Sequence, residues 1–454
     1  MKVVKFGGSS LASGEQFEKV YHIVLSDAAR KIIVVSAPGK RHKSDKKVTD
    51  LLIENADYYL TYREINEGLL EQVVGRFYSI AVELGIYTDI ISDIRADIIA
   101  RLTMSISNNK KYMDRVKAGG EDNTARLLAA YFNSKGKEAH YINPLEAGLF
   151  VTDQPGNAQV LAESYENLAS LKEKSGILVF PGFFGYSKSG EILTFSRSGS
   201  DITGSILANA IHAELYENFT DVDAVYSVNP ITVRNPKEIR ELTYREMREL
   251  SYAGFSVLHD EALIPAYRAG IPVHIKNTNN PSAPGTKIVN QRTITNGPVI
   301  GIASAKGFCS IYVSKYLMNR ELGFGRKLLQ ILEDFNLSYE HSPSGIDDIS
   351  IILRQNEIGN EMEEAIRNRV FTELEADEVK IERNLALIMI VGEGMRHNVG
   401  TTARASRALA HCGVNIEMIN QGSSEVSMMF GVKEVDEDRA VHSLYEEFFV
   451  SVSV

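Results

Sequence analysis

Lys2-Val3-Val4-Lys5-Phe6-Gly7-Gly8-Ser9-Ser10 begins with a β-rich run that stops at two glycines. Residues 15–25 follow, with Phe17, Val20, Ile23 and Val24 at helical spacing. Strand, glycine turn and helix in that order open an α/β unit. Glycines behind a strand let backbone N–H groups approach a phosphate, and the helix N-terminus behind them adds partial positive charge. A Walker loop places its lysine after the glycines. Here Lys5 ends the strand and points over the loop. The same order of elements also occurs as a plain turn, so this stretch alone leaves both readings open.

The pattern continues outward. Residues 31–36 (KIIVVS) form a strand without alternation, as expected for burial on both faces, and Pro38-Gly39 ends it. Residues 41–47 are a basic, polar loop. From Thr49 to about Leu102 the pattern is helical, with Leu69, Leu70, Val73, Val74, Phe77, Ile80, Ala81 and Leu84 on one face. Gly119-Gly120 predicts a break before a helix over 122–131. Strands follow at 139–142 and 176–180. A hairpin turns at Lys188-Ser189-Gly190 into a strand at 192–195, and a helix runs over 201–212. Alternating strands and helices to about Ile294 predict one large α/β domain.

The remainder differs. Two segments align without a gap, Gly323 with Gly400, Leu332 with Leu409, Glu340 with Glu417 and Gly345 with Gly422. Each copy reads helix, strand, glycine turn, strand, a duplicated αβ module of about 70 residues. The expected domains are 1–297, 298–382 and 383–454, and the first strand of the middle module could be shared with the last. At roughly 150 residues per domain, 454 residues suit three.

Composition excludes several classes. With 49 Lys plus Arg against 59 Asp plus Glu, the net charge of −10 argues against nucleic acid or an anionic membrane as partner. Cys309 and Cys412 can form neither a disulfide framework nor a four-thiolate zinc site, and both read as buried free thiols. No secretory signal and no run of about 18 apolar residues is seen, so a cytoplasmic protein is expected. The histidines, His259 included, lack metal-ligand spacing, and no dedicated metal site is expected.

Two further stretches could carry chemistry. Ser196-Arg197-Ser198-Gly199-Ser200-Asp201 opens a helix; arginine suits bidentate carboxylate recognition, and Asp201 reads equally as a helix cap. Residues 219–230 (FTDVDAVYSVNP) hold two close acids without EF-hand spacing, so a strand-end loop against a nucleotide competes with a metal pair.

Together KFGGSS, Gly120-Glu121, SRSGSD and TDVDAVY resemble the aspartate kinases of the amino-acid kinase superfamily. The tail agrees: residues 416–430 (IEMINQGSSEVSMMF) resemble an ACT module and residues 338–353 (SYEHSPSGIDDISIIL) its partner copy. The resemblance covers essentially the whole chain. It implies an N-terminal αβα sandwich followed by two ACT modules, and transfer of a phosphoryl group from ATP, with Mg²⁺, to the side-chain carboxylate of L-aspartate. It assigns Lys5, Asp201 and Arg197 to catalysis, and Thr49, Glu121, Arg197, Ser198, Gly199 and Ser200 to aspartate. To the nucleotide it assigns Lys5, Gly7, Gly8, Ser9, Thr220, Asp221 and Tyr226. The family often has arginine where Ile231 stands here; Arg234 or Lys276 is expected to take over that contact.

For the tail, the resemblance implies self-association through ACT modules and inhibition by lysine, with or without threonine. The effector contacts it suggests are Met318, Phe324, Gly325, Ser338 and Asp347. A fused homoserine dehydrogenase is not expected. Two alternatives stay open: a catalytically silent ACT-containing sensor, and a related kinase acting on another carboxylate.

Overall fold

The computed structural model describes residues 1–450 apart from 87–88, 197, 256–257, 259, 295–296 and 423–425. Arg197 and His259 therefore lie outside the described residues. The chain divides into two compact units, Met1–Val225 with Glu238–Tyr244 and Val257–Arg292, and Tyr226–Lys237 with Arg245–Ser256 and Thr293–Val454.

In chain order the elements up to residue 289 are β1 (Lys2–Phe6), α1 (Gly14–Leu25), β2 (Arg30–Val35), α2 (Val48–Tyr62), α3 (Glu67–Glu83), α4 (Ile90–Thr103), α5 (Asn109–Ser134) and β3 (Ala139–Tyr141). There follow α6 (Glu163–Ala169), β4 (Ile177–Pro181), β5 (Phe184–Tyr186), β6 (Ile192–Thr194), α7 (Gly199–Ala210), β7 (Leu215–Thr220), β8 (Val225–Tyr226) and β9 (Glu238–Ile239). Last come β10 (Glu241–Thr243), α8 (Tyr244–Tyr252), α9 (Ile264–Arg268), β11 (Val273–Asn277) and β12 (Thr286–Val289).

Eight strands form the sheet of the first unit in the order β10-β12-β11-β7-β1-β2-β4-β3, parallel except where β11 meets β12. Its central strands are apolar because helices cover both faces. Val4, Phe6, Ile33, Val35 and Phe219 point into a core shared with α1 to α5. Lys5, Val34 and Asn218, in register with one another, lie on the other face, where α7 packs.

The expected helix break at Gly119-Gly120 does not occur: α5 runs through it. A side chain at 120 would collide with the Ala37 Cβ 2.7 Å away, and one at 119 would press on the Arg101 side chain at 3.1 Å. These glycines serve close packing, which outweighs their poor helix propensity. Cys309 is buried as expected, whereas Cys412 is only half-buried.

In the second unit the elements are β13 (Gly301–Ser314), α10 (Phe324–Asp334), β14 (Asp348–Arg354), α11 (Asn360–Leu374), β15 (Glu378–Val391), α12 (Thr401–His411), β16 (Met418–Asn420), β17 (Ser427–Lys433) and α13 (Glu437–Tyr445). The duplication folds as one antiparallel sheet ordered β14-β13-β15-β17-β16. β13 and β15, each 14 residues long, run through both halves. Gly323 and Gly400, matched in the sequence, are the left-handed N-caps of α10 and α12 at φ 79° and 92°. In the first copy the strand expected before the glycine turn is reduced to isolated bridges at His341 and Ser344.

Each half has its own core. Cys309, Ile311 and Val313 join one, and Ile302, Ile388 and Ile390 the other. On β13 the inward residues thus change from even to odd numbers. Strict alternation would put the two cores on opposite faces. The pairing register gives each long strand one extra residue near Gly307 (φ 85°) and Asn384 (φ 59°), and these bulges restore a common face.

Two stretches that the sequence places in the first domain fold with this sheet. Val228 and Val233 enter its core, and the Ile302 N–H donates to Ser227 O at 2.7 Å. Helix α8 is held by Glu246, which accepts from the Glu393 N–H at 2.9 Å, and by Glu249, which accepts from Ser427 Oγ at 2.8 Å. Among the described residues no helix is long and apolar enough to cross a membrane.

Candidate active site

The carboxyl ends of β1, β2, β4 and β7 converge in the first unit, the usual place for a ligand in an open α/β sheet. Lys5, the penultimate residue of β1, is buried and places Nζ 2.6 Å from Asp201 Oδ1. Asn218 Nδ2 donates to the same oxygen at 2.7 Å. Asp201 stands in the first turn of α7, whose N-cap, Ser198, has φ 59° and makes no side-chain cap. The aspartate is thus paired with Lys5, and the N-cap position belongs to Ser198.

Gly7 and Gly8 turn the chain directly beside this pair. A Cβ at Gly7 would lie 3.6 Å from Lys5 Nζ. Gly8 meets the loop after β2 backbone to backbone: its O accepts from the Gly39 N–H at 2.8 Å, and a Cβ at 39 would sit 2.6 Å from Gly8 C. Ser9 is half-buried and Ser10 Oγ pairs with Thr278 Oγ1 at 2.7 Å. On the far side Gly182 fits against Ser200, and a Cβ there would lie 2.6 Å from Ser200 Oγ. Gly199 packs equally closely against Phe183.

Glu121 reaches the same region from α5. The residue is 6% exposed, and Oε2 has no hydrogen-bond partner. Burial pushes its pKa up to about 8, against opposing hydrogen bonds from the Ala37 and Glu121 N–H groups and the nearby Lys117 cation. An unpartnered, buried carboxylate oxygen calls for a cationic donor. Ala37, which donates to Glu121, also presents its carbonyl to Gly8, so the acid and the glycine turn share one wall. Thr49 is half-buried in the first turn of α2, directly after the basic loop.

Thr220 ends β7 and donates to Asp221 Oδ1 at 3.2 Å; Asp221 is exposed. Tyr226 belongs to the second unit. Lys276 is not brought to the Lys5 site. Its register partner is Phe219, and Phe219 stacks on Phe6 at 5.1 Å on the opposite face from Lys5. Burial is the main cause of the lowered pKa of Lys276, with smaller effects from the charges of Glu217, Arg30 and Lys2. The period-two alternation of β11 gives this outcome. Asn218 was missed by the sequence reading. Its signal is the pair of adjacent polar residues, Glu217 and Asn218, in the middle of the buried strand LYENFT, with Asn218 in register with Lys5.

The effector residues expected in the first module are placed unevenly. Met318 and Phe324 are core side chains, 8% and 3% exposed: Phe324 opens α10 on its apolar face, and Met318, in the short turn before α10, joins the same core. Their side chains are buried in that core. Gly325 and Asp347 are half-buried and Ser338 is exposed. Asp347 Oδ1 accepts from the Leu317 N–H at 2.9 Å, which ties the glycine-turn segment to the start of the module.

Residues 1–277 match the Amino acid kinase family and residues 388–448 match an ACT domain. Over 454 residues, all of both chains, the protein is 66% identical to aspartokinase 3 of Bacillus subtilis. The crystal structure of Clostridium acetobutylicum aspartate kinase superposes with a TM-score of 0.88 at 38% identity, covering 99% of this chain and 100% of that one. Escherichia coli aspartokinase III, solved with aspartate and ADP, has the same fold, with a TM-score of 0.79 at 24% identity over 99% of this chain and 100% of that one. The chain belongs to the amino acid kinase family, in its aspartokinase branch.

Proposed function

We propose that this site transfers the γ-phosphoryl group of ATP to the side-chain carboxylate of L-aspartate, giving aspartyl phosphate and ADP. The observation that carries this reading is the pairing of a fixed cation with an open acid: Lys5 paired with Asp201, which also accepts from Asn218, and Glu121 with an unpartnered oxygen. An amino-acid substrate brings an ammonium for the acid, and the reacting phosphate needs the cation.

A carboxylate with a pKa near about 4 is ionised at neutral pH, so attack needs no general base. One carboxylate oxygen bonds to the γ-phosphorus while the bond from phosphorus to the β,γ-bridging oxygen breaks, and ADP leaves with that electron pair. The obstacle is bringing two anions together, which positioning and cationic stabilisation overcome. Lys5 faces the transferring group, and Gly7, Gly8 and Ser9 offer backbone donors to the phosphates. Glu121 receives the substrate ammonium and Arg197 its α-carboxylate, with Thr49, Ser198, Gly199 and Ser200 as the polar lining. Thr220 and Asp221 serve the nucleoside.

Mg²⁺ is part of the same proposal and supplies charge neutralisation on the nucleotide. An ion that arrives with the nucleotide is held mainly by phosphate oxygens and water, which are its expected ligands.

The second unit is proposed to bind an amino-acid effector, lysine with or without threonine, and to pair two copies of the chain. The shared sheet and the matched glycine caps support this reading. Residence in the cytoplasm completes the proposal. Aspartate-dependent ADP release, measured with lysine and threonine added singly and together, tests both halves; indifference to both amino acids would remove the regulatory half.

A further inference from the structure

The basic loop between β2 and α2 is fastened from below by one buried arginine. Arg76, on α3, is 4% exposed. Its Nη1 donates to Gly39 O at 2.7 Å, and its Nη2 donates to Asp45 Oδ2 at 2.7 Å and to Lys46 O at 3.2 Å. A single guanidinium therefore holds both ends of residues 39–46. Asp45 is drawn in from the loop side as well, accepting from Arg41 Nε at 2.9 Å, from the Arg41 N–H at 3.0 Å and from the Lys46 N–H at 3.0 Å.

Both fastened ends lead to the proposed site. Gly39 is the residue whose N–H bonds to Gly8 O and whose backbone is pressed against the glycine turn. Lys46 is followed by the α2 N-terminus, where the Val48 N–H donates to Pro38 O at 3.2 Å and Thr49 comes next. The loop between carries Lys40, Arg41 and Lys43, all exposed. Five exposed polar residues in a row would wander without an anchor, and a planar fork with several donors can bind three acceptors at once, as an ammonium on a flexible stem cannot.

We propose that Arg76 and Asp45 are a positioning pair for phosphoryl transfer: they hold the basic loop docked on the glycine turn, so that Thr49 and the Gly8 backbone stand ready before substrate arrives. This rests on the aspartokinase reading of the site. Arg76 touches neither substrate and acts through Gly39 and Lys46.

The consequence is a split between kinetic constants. With the pair broken, the docked loop is only a fraction of the ensemble, and apparent substrate affinity falls by that fraction. Saturating substrate redocks the loop and restores turnover. Arg76→Gln should raise the aspartate KM by about tenfold while kcat stays within about twofold. Arg76→Lys should fall between that variant and the wild type. Asp45→Asn, which leaves the buried arginine in place, should shift KM in the same direction and covers the case in which Arg76→Gln fails to fold. Trypsin should cut the substrate-free variants within residues 40–47 faster than the wild type, and ATP with aspartate should slow the cut.

Unchanged KM and unchanged loop cleavage in folded Asp45→Asn and Arg76→Lys would overturn the proposal. So would an equal loss of kcat with KM unchanged. Cleavage in the absence of substrate reads the docking whether or not aspartate is the acceptor. Faster cleavage in an enzyme without aspartate-dependent turnover would therefore leave the clamp standing and remove the functional reading beneath it.

Discussion

Lys5 at the end of β1 and Asp201 in the first turn of α7 form a buried ion pair at 2.6 Å, and Asn218 on the neighbouring strand donates to the same carboxylate oxygen. The parallel register makes this possible, because Lys5 and Asn218 are direct partners across β1 and β7. The lysine is fixed before any phosphate arrives, so little reorganisation is left for the transition state. Lys5→Met should lower turnover by about 10²–10³-fold, the scale of losing one preorganised donor. Steady-state ADP release gives turnover and nucleotide titration gives binding, which should fall much less.

Asp201→Asn keeps the shape of the contact and removes its charge. A hydrogen bond to a charged group contributes about 1.5–3 kcal/mol, so a stability loss of that order is expected together with reduced turnover. Thermal unfolding and kinetics on the same preparation check both effects. Normal kinetics in a destabilised variant would make Asp201 a structural partner only.

Glu121 supplies a pH signature. Burial raises its pKa to about 8, so at pH 7 the free site holds it mostly protonated. Binding an ammonium favours the charged form, and the proton must leave. Aspartate should therefore bind more tightly as pH rises from 7 to 8, by about fivefold, and weaken as pH falls. Calorimetry at pH 7 in buffers of different ionisation enthalpy should show nearly one proton released per aspartate bound. Glu121→Gln should abolish that release and flatten the pH profile.

The raised pKa also carries a stability consequence. Its folded value lies above the unfolded one, so the carboxyl contributes most below the unfolded carboxylate range. That contribution is lost as pH climbs to about 8. Without substrate the protein should lose stability across this interval, and Glu121→Gln should lose less. Chemical denaturation at pH 5 and pH 8 measures the difference.

Much of this was legible in the sequence because the signals are local. KVVKFGGSS and KIIVVS declare a parallel, two-sided sheet, whereas SRSGSD alone left its aspartate between a helix cap and a site residue, and only the resemblance assigned it a role. The matched glycines 323 and 400 needed only comparison of the chain with itself. What was not legible depends on tertiary approach. Gly119 and Gly120 looked like a helix break because nothing local shows Arg101 and Ala37 pressing on α5. Lys276 looked available because strand alternation must be combined with the position of β11 beside β7 before its face is known. Met318 and Phe324 read as contacts, and the fold uses them as core. Bulges near Gly307 and Asn384 are register features, fixed only when two strands meet.

One measurement tests the central claim most directly: ADP release by the full chain with ATP, Mg²⁺ and either L-aspartate or L-glutamate, with hydroxylamine present to trap an acyl phosphate, compared between wild type and Lys5→Met. The proposed mechanism predicts one equivalent of trapped aspartyl hydroxamate per ADP, little product from glutamate, and loss of both signals in Lys5→Met. ADP release that does not depend on aspartate, or equal yields from wild type and a folded Lys5→Met, would contradict it.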